Sequence, residues 1–385
     1  MVQAVIAGFA RTPFHFARKG ALAAVRPDDL AATAIRALID RTGIDPASLE
    51  DVLLGCAYPE AAQGNNVARI ALLLAGLPIE IGGMTVNRFC GSSMSAIHIA
   101  AGQIAIGAGE AFICGGVESM TQVPQGGFNF SPNPRFRRPD LPDADLMTEA
   151  YISMGETAEN VARLYQVSRA DQEKLAYASQ RKAAEAQAAG RLKDEIVPVA
   201  TADGLVELDG CLRPQTTLEG LATLKPAFRP DGLVTAGTAS PLTDGASAVL
   251  VCSEGYARAE GLRVLARVRS VAVAGCPPEI MGMGPVPATQ KALKRAGLTI
   301  DDIDVVEINE AFGSQAVACL RELRIDEEKV NIDGGGIAIG HPLGATGARI
   351  TGKAAQIMTR EGKGLALSTQ CIGGGQGVAT ILEAA

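Results

Sequence analysis

The chain has 385 residues, with 35 Lys and Arg against 42 Asp and Glu, a net charge of −7 and 47% apolar residues. That length exceeds what one hydrophobic core usually serves, and the apolar share supports a large interior, so disorder is excluded and more than one core is expected. An acidic chain with ten Phe, five Tyr and no Trp has little with which to neutralise phosphates or stack bases, which excludes nucleic acid as a partner.

The opening MVQAVIAG lacks a basic stretch followed by a long apolar core and a cleavage site, so it reads as a first strand. The longest apolar stretches, such as Ile70 to Ile79, fall well short of the roughly 20 residues that span a bilayer. No membrane span is expected, and the expected location is the cytoplasm. Eight cysteines, at 56, 90, 114, 211, 252, 276, 319 and 371, are never closer than 24 residues, which is neither a disulfide framework nor a zinc spacing. His15, His98 and His341 stand in no paired motif, so no metal and no resident cofactor are expected.

Residues 34–52 repeat at 288–306: Gly43 falls on Gly297, Leu38 on Ala292, Ile39 on Leu293 and Leu49 on Ile303. In both copies an amphipathic helix closes at a C-cap Gly, and a short acidic connection leads into an apolar strand. Each copy continues with a strand opening at Val-Asn (Val86-Asn87 and Val330-Asn331), a Gly turn, a small-residue helix and another strand. Strands alternating with helices predict an α/β fold of two similar halves, its sheets covered on both faces.

Cys90, in MTVNRFCGSSMSAI, precedes a helix predicted from Ser92 to about Gly107, apolar except at His98 and Gln103 and therefore buried. The positive end of that helix and its free N–H groups predict a lowered thiol pKa and a candidate nucleophile. A small buried hydrophobe is the other reading. Residues 121–239 then differ from both halves. GGFNFSPNPRFRRPDLP, with four Pro, predicts an extended loop, and Ser168-Arg169-Ala170-Asp171 a capping box opening a helix to Gly190 with ASQRKAAEAQAA on its polar face. An insertion of this length in a compact fold points to function; an oligomer contact is the alternative.

After the strand DVVEI, Asn309 opens NEAF, where its carboxamide could anchor a water or carbonyl, and Glu310 reads as a structural hydrogen-bond acceptor. His341 sits in the Gly-rich NIDGGGIAIGHPLGATGARI, just before a predicted helix that favours neutral imidazole, able to take a thiol proton or face an oxyanion. A satisfied loop histidine is the alternative. Cys371 ends GLALSTQ ahead of Gly373 to Gly375, a turn whose N–H groups could point at a ligand.

Together these segments resemble the thiolases, and within them the degradative 3-ketoacyl-CoA thiolases (acetyl-CoA acyltransferases). The matching stretches are NRFCGSSMSA around Cys90, GGVESM at 115–120, MGETAEN at 154–160, TAGTASPLTDGAS at 235–247, NEAF at 309–312, GGGIAIGHPLGATGAR at 334–349 and CIGGGQG at 371–377. They follow the family's order and spacing along the whole chain.

The resemblance implies a five-layered αβαβα fold of two duplicated halves, 1–120 plus 240–262 and 263–385, with 121–239 as an inserted loop domain over a coenzyme A site. It makes Cys90 the acylated nucleophile, His341 its base and Cys371 a second acid/base. A water held by Asn309 would complete one oxyanion hole with His341, and the N–H groups of Cys90 and Gly373 would form the other. Met154, Lys225 and Ser240 fall where the family meets coenzyme A. Ser153 stands where short-chain biosynthetic members have His, and Lys225 where Arg is common.

The implied reaction is thiolysis of 3-ketoacyl-CoA by coenzyme A in fatty acid beta-oxidation, with coenzyme A as substrate. The implied assembly is a homodimer or homotetramer, with a beta-oxidation multienzyme subunit as a possible associate. A biosynthetic acetyl-CoA acetyltransferase is the near alternative. More distant ones are a non-catalytic acyl-CoA-binding protein and a decarboxylating ketoacyl synthase, which carries His or Asn where this chain has Cys371.

Overall fold

A computed structural model of the protein describes residues 2–137 and 149–385. Its strands in chain order are β1 (Ala4–Arg11), β2 (His15–Phe16), β3 (Asp51–Gly55), β4 (Gly82–Val86), β5 (Ala111–Ser119), β6 (Val199–Thr201), β7 (Gly204–Val206), β8 (Thr243–Ser253), β9 (Ala266–Gly275), β10 (Val305–Ile308), β11 (Leu365–Ile372) and β12 (Gln376–Glu383).

The repeat is visible in the fold. The Pro27–Thr42 helix has Pro at its start, Asp28 and Asp29 in its first turn, and a left-handed Gly43 (φ 68°) at its end. The Pro285–Ala296 helix closes the same way at Gly297 (φ 70°), with Lys294 and Arg295 against its negative end. Short turns held by Asp45 and Asp302 lead into β3 and β10. The Val-Asn pairs differ from expectation. Val86 closes β4, and Val330 makes only a single bridge to Val306. In both copies the Asn carboxamide bonds to the backbone: Asn87 Oδ1 accepts from Phe89 N–H two residues on and turns the chain, while Asn331 Oδ1 accepts from Ile308 N–H and ties its loop to β10.

One mixed sheet runs β10-β11-β12-β9-β1-β8-β5-β3-β4, with β2 on β8. β3 lies parallel to β4 and β5, and β10 parallel to β11. The two halves of the sheet meet through just two residue pairs of β1 and β9, Val5 with Arg267 and Ile6 with Ala266. The Ser92–Ala105 and Thr346–Glu361 helices fill the space between the halves, packing Ala96, Ala100, Ala348 and Ala354 against Phe9, Phe112, Val249 and Ala366. The Pro27–Thr42 and Val67–Leu74 helices cover the outer face of one half. Pro285–Ala296 and Gly313–Leu323 cover that of the other. This is the five-layered αβαβα order, and every residue of β5 and β8 is buried because both faces are covered.

The 121–239 segment contributes the Met154–Leu164 and Arg169–Ala188 helices, the β6-β7 hairpin and the Leu218–Ala222 helix. Residues 138–142 of the expected Pro-rich loop lie outside the described residues. Ser168 and Asp171 form the capping box, each bonding the other's backbone N–H at 3.1 Å. The helix that follows stops at Ala188, and its expected polar face is partly interior: Ser179 and Gln180 are each 2% exposed. Their polar atoms stay satisfied, since Ser179 Oγ donates to Glu310 Oε2 at 2.6 Å and Gln180 Nε2 to Ile337 O at 3.2 Å.

A buried ionic chain ties this segment to the halves. Arg11 of β1 forks onto Asp209 at 2.7 Å and donates to Glu195 at 2.7 Å. Lys353 of the Thr346–Glu361 helix joins Glu195 (2.7 Å) to Asp333 (2.8 Å), which also takes Arg191 and Arg360. Burial pushes the Glu195 and Asp333 carboxyls up, but the cations outweigh it and hold both below the usual range. Carboxylates with depressed folded pKa values contribute stability that is complete above the unfolded value and is lost as the pH falls. Thermal midpoints should therefore drop steeply below about pH 4.5, where these carboxylates protonate. A midpoint that stays level to about pH 3 would contradict this.

Candidate active site

Between β4 and the Ser92–Ala105 helix the backbone is tightly tied. Asn87 Oδ1 accepts from Phe89 N–H at 2.9 Å, while Ser92 Oγ accepts from Arg88 N–H (2.8 Å) and donates to Phe89 O (2.6 Å). Phe89 is thereby held at φ 43°, a conformation that bulky residues avoid and that marks a site fixed by its surroundings. Cys90 follows, half-buried, with its own N–H and that of Gly373 directed at its sulfur. Gln370 Nε2 donates to the Cys90 carbonyl, and Gly91 packs on Ile372, where any Cβ would collide. The expected low thiol pKa does not hold. Burial pushes the Cys90 thiol up to about 12 against those two N–H groups, because desolvating a thiolate costs more than one helix end returns.

Cys371 lies in β11, 1% exposed, beside Ala239, Ala311, Phe312 and Met281 with Met154 against them. Burial first, and then the charge Cys90 would carry, push its thiol well above the usual range. The two sulfurs therefore feel each other.

His341 is 5% exposed, in the loop between the Gly336–Ile339 and Thr346–Glu361 helices. Thr346 Oγ1 donates to Pro342 O at 2.9 Å, so at 2.6 Å from Nδ1 it acts as acceptor and Nδ1 carries the proton. Nε2 keeps its lone pair and receives Asn309 Nδ2–H at 3.2 Å. Burial, followed by the charge of Arg349, pushes the imidazole down to about 3, so it is neutral. Asn309 is placed by its own N–H, which donates to Thr369 O at 3.0 Å, two residues before Cys371. Its Oδ1 is buried and has no partner among the described residues. Glu310 accepts from Ser179, Asn331 and Ile337.

Two supporting residues escaped the sequence reading. Glu118, in GGVESM, is buried and accepts from Ala57 N–H (2.8 Å), Gln63 Nε2 (2.8 Å) and Gly344 N–H (2.9 Å), clamping the His341 loop to β5. An acid inside an apolar strand was its signal. Thr346 fixes the His341 tautomer, and its spacing of five from His341 carried no signal alone.

Met154 opens its helix, capped by Ser153, whose Oγ accepts from Glu156 N–H at 3.4 Å. Its Sδ lies 3.5 Å from where a Gly373 Cβ would stand. Ser240 donates through N–H (3.0 Å) and Oγ (3.1 Å) to Ala311 O. It also lines a cleft of about 470 Å³ with Phe16, Lys19, Arg213, Phe228 and Pro241. Lys225 is exposed and is not among the lining residues; Ala227, two positions on, is. Among the described residues no group of three His, Cys, Asp or Glu is placed to hold a metal ion.

Two thiols and a neutral imidazole on a five-layered duplicated fold define a protein equipped for acyl transfer through a thioester. The chain belongs to the thiolase family: the thiolase N-terminal domain model matches residues 4–255 and the C-terminal domain model residues 262–384. It is 48% identical over 396 aligned residues to a 3-ketoacyl-CoA thiolase of Bacillus subtilis, covering all of both chains. A 3-ketoacyl-CoA thiolase of Shewanella loihica is 46% identical, again over all of both chains. The crystal structure of human mitochondrial 3-ketoacyl-CoA thiolase superposes with a TM-score of 0.90 at 37% identity, covering 100% of this chain and 99% of that one.

Proposed function

We propose that the chain cleaves 3-ketoacyl-CoA with coenzyme A to acetyl-CoA and a shortened acyl-CoA, the thiolytic step of fatty acid beta-oxidation, through an acyl group on Cys90. The observation that carries this reading is the Cys90 sulfur, faced by two backbone N–H groups and within the electrostatic reach of a second, protonated thiol. The names of the relatives at 46–48% identity support the degradative reaction over condensation of two acetyl-CoA.

With the thiol at about 12, free ionisation at neutral pH would cost about 7 kcal/mol, so the proton leaves as the bond forms. His341 Nε2, with Nδ1–H fixed on Thr346, receives it while the sulfur attacks the 3-keto carbon. The carbon–carbon bond then breaks, the electron pair goes to the departing enolate, and Cys371 protonates it to acetyl-CoA. Coenzyme A enters, Cys371 takes its thiol proton, and the acyl group leaves Cys90 as acyl-CoA. The oxyanion next to the sulfur faces the Cys90 and Gly373 N–H groups, and that of the other thioester faces His341 with a water on Asn309. Ser240 and Met154 lie along the path of coenzyme A, which the 121–239 segment covers, with exposed Lys225 outside the cleft lining.

A thiolysis panel from acetoacetyl-CoA to long-chain 3-ketoacyl-CoA, with mass spectrometry of the trapped Cys90 adduct, tests the reading. Turnover of acetoacetyl-CoA alone would sink the degradative assignment. Thr346→Val keeps the volume of the side chain but leaves Nδ1–H without its acceptor, freeing the wrong tautomer. Steady-state kinetics should show kcat lower by about 10- to 100-fold at unchanged KM. A raised KM with kcat intact would mean a binding role instead.

A further inference from the structure

The turn after β2 is held by four hydrogen-bond and backbone features. Ala17 N–H donates to Leu242 O at 2.8 Å and Ala21 N–H to His15 Nδ1 at 3.2 Å, while Arg18 takes φ 67°. Gly20 N–H closes onto Phe16 O at 2.9 Å, where a Cβ would strike the Phe16 carbonyl. The result places Lys19 Nζ 4.4 Å from the centre of the Phe16 ring. The Arg213 guanidinium stands 6.0 Å from the same ring. Both cations line the cleft that reaches Ser240 and, through Ala239, the apolar residues beside Cys371.

Neither cation meets a carboxylate among the described residues. Arg213 is half-buried, its only side-chain acceptor there a carbonyl at 3.5 Å, that of Ile337, and burial pulls its pKa down. A guanidinium left in that state is incomplete without an anion. The cleft is thus a cationic, aromatic opening whose Ala239 side packs on the apolar residues beside Cys371.

We propose that the Phe16–Lys19 turn is a specificity element for the phosphorylated nucleotide end of the thiol substrate, with Lys19 pairing a phosphate group across the cleft from Arg213. Phe16 holds the lysine by a cation–π contact and offers its edge to the nucleotide base. The inference rests on coenzyme A being the thiol substrate, and it makes the turn the feature that separates coenzyme A from acceptors ending at pantetheine.

Steady-state kinetics with coenzyme A and with pantetheine as acceptor, in the wild type, Lys19→Ala and Lys19→Arg, test it. Lys19→Ala should raise KM for coenzyme A about tenfold at constant kcat, move KM for pantetheine less than about twofold, and be rescued by Lys19→Arg. Equal changes for both acceptors, or none, overturn the proposal. Calorimetric binding of adenosine 3′,5′-bisphosphate needs no thiolysis. It should weaken about tenfold in Lys19→Ala, and equal binding to both proteins also overturns the proposal. Should the bisphosphate bind and weaken in this way while 3-ketoacyl-CoA goes uncleaved, the nucleotide site stands and the catalytic reading falls.

Discussion

Cys90→Ala should retain its fold and its affinity for acyl-CoA while losing thiolysis by about 10⁵- to 10⁶-fold, the scale seen when a covalent nucleophile is removed. The fold is expected to survive because the change removes one half-buried sulfur and no hydrogen bond that the backbone depends on. The Asn87, Ser92 and Gln370 contacts around it involve main-chain atoms that alanine keeps. The stability loss should be about 1 kcal/mol or less. Activity has no such reserve. The neutral His341 and the N–H groups of Cys90 and Gly373 can polarise a carbonyl but cannot form the thioester, and water or coenzyme A attacking directly would have to expel a carbon leaving group in one step. Single-turnover experiments with 3-ketooctanoyl-CoA, read by mass spectrometry, should show no adduct and no acetyl-CoA burst. A variant that releases acetyl-CoA at the wild-type rate would remove Cys90 from the mechanism.

Much of the fold was legible because its determinants are local. The two C-cap glycines, the Ser168 capping box and the largely apolar Ser92–Ala105 helix are short-range signals, each found at its expected start or cap, though that last helix ends two residues before the expected Gly107. The 254-residue repeat offset predicts two halves because each half must bury the same sheet face. What failed depends on contacts between distant stretches. The Cys90 pKa turns on burial by β11 and its Gly turn, which begin 275 positions later, and a helix end read alone gives the opposite sign. The buried Ser179 and Gln180 look like surface residues until Glu310 and Ile337 are placed against them. Lys19 and Arg213 could not have been paired from sequence, since only the turn after β2 brings both to one ring.

The second large effect belongs to Cys371. A thiol with its pKa well above the usual range keeps its proton at neutral pH, which makes it a poor resting nucleophile and a ready acid for a strongly basic enolate. Its raised pKa has a second source besides burial: negative charge on Cys90 acts on it, so the acid is strongest once Cys90 is acylated and neutral. That order suits the reaction, because the enolate departs only after the Cys90 bond to the acyl carbon exists. Cys371→Ala should therefore lower thiolysis by about 10²- to 10⁴-fold while leaving Cys90 able to be alkylated by iodoacetamide. It should also halt exchange of the acetyl-CoA methyl protons with deuterated water, the reverse of enolate protonation, which NMR follows without a complete turnover. Deuterium entering the methyl at the wild-type rate in Cys371→Ala would move the acid to His341. That residue would then have to accept the Cys90 proton and deliver it to carbon, a transfer its fixed Nδ1–H and its one lone pair, on Nε2, permit only if the same proton makes both moves.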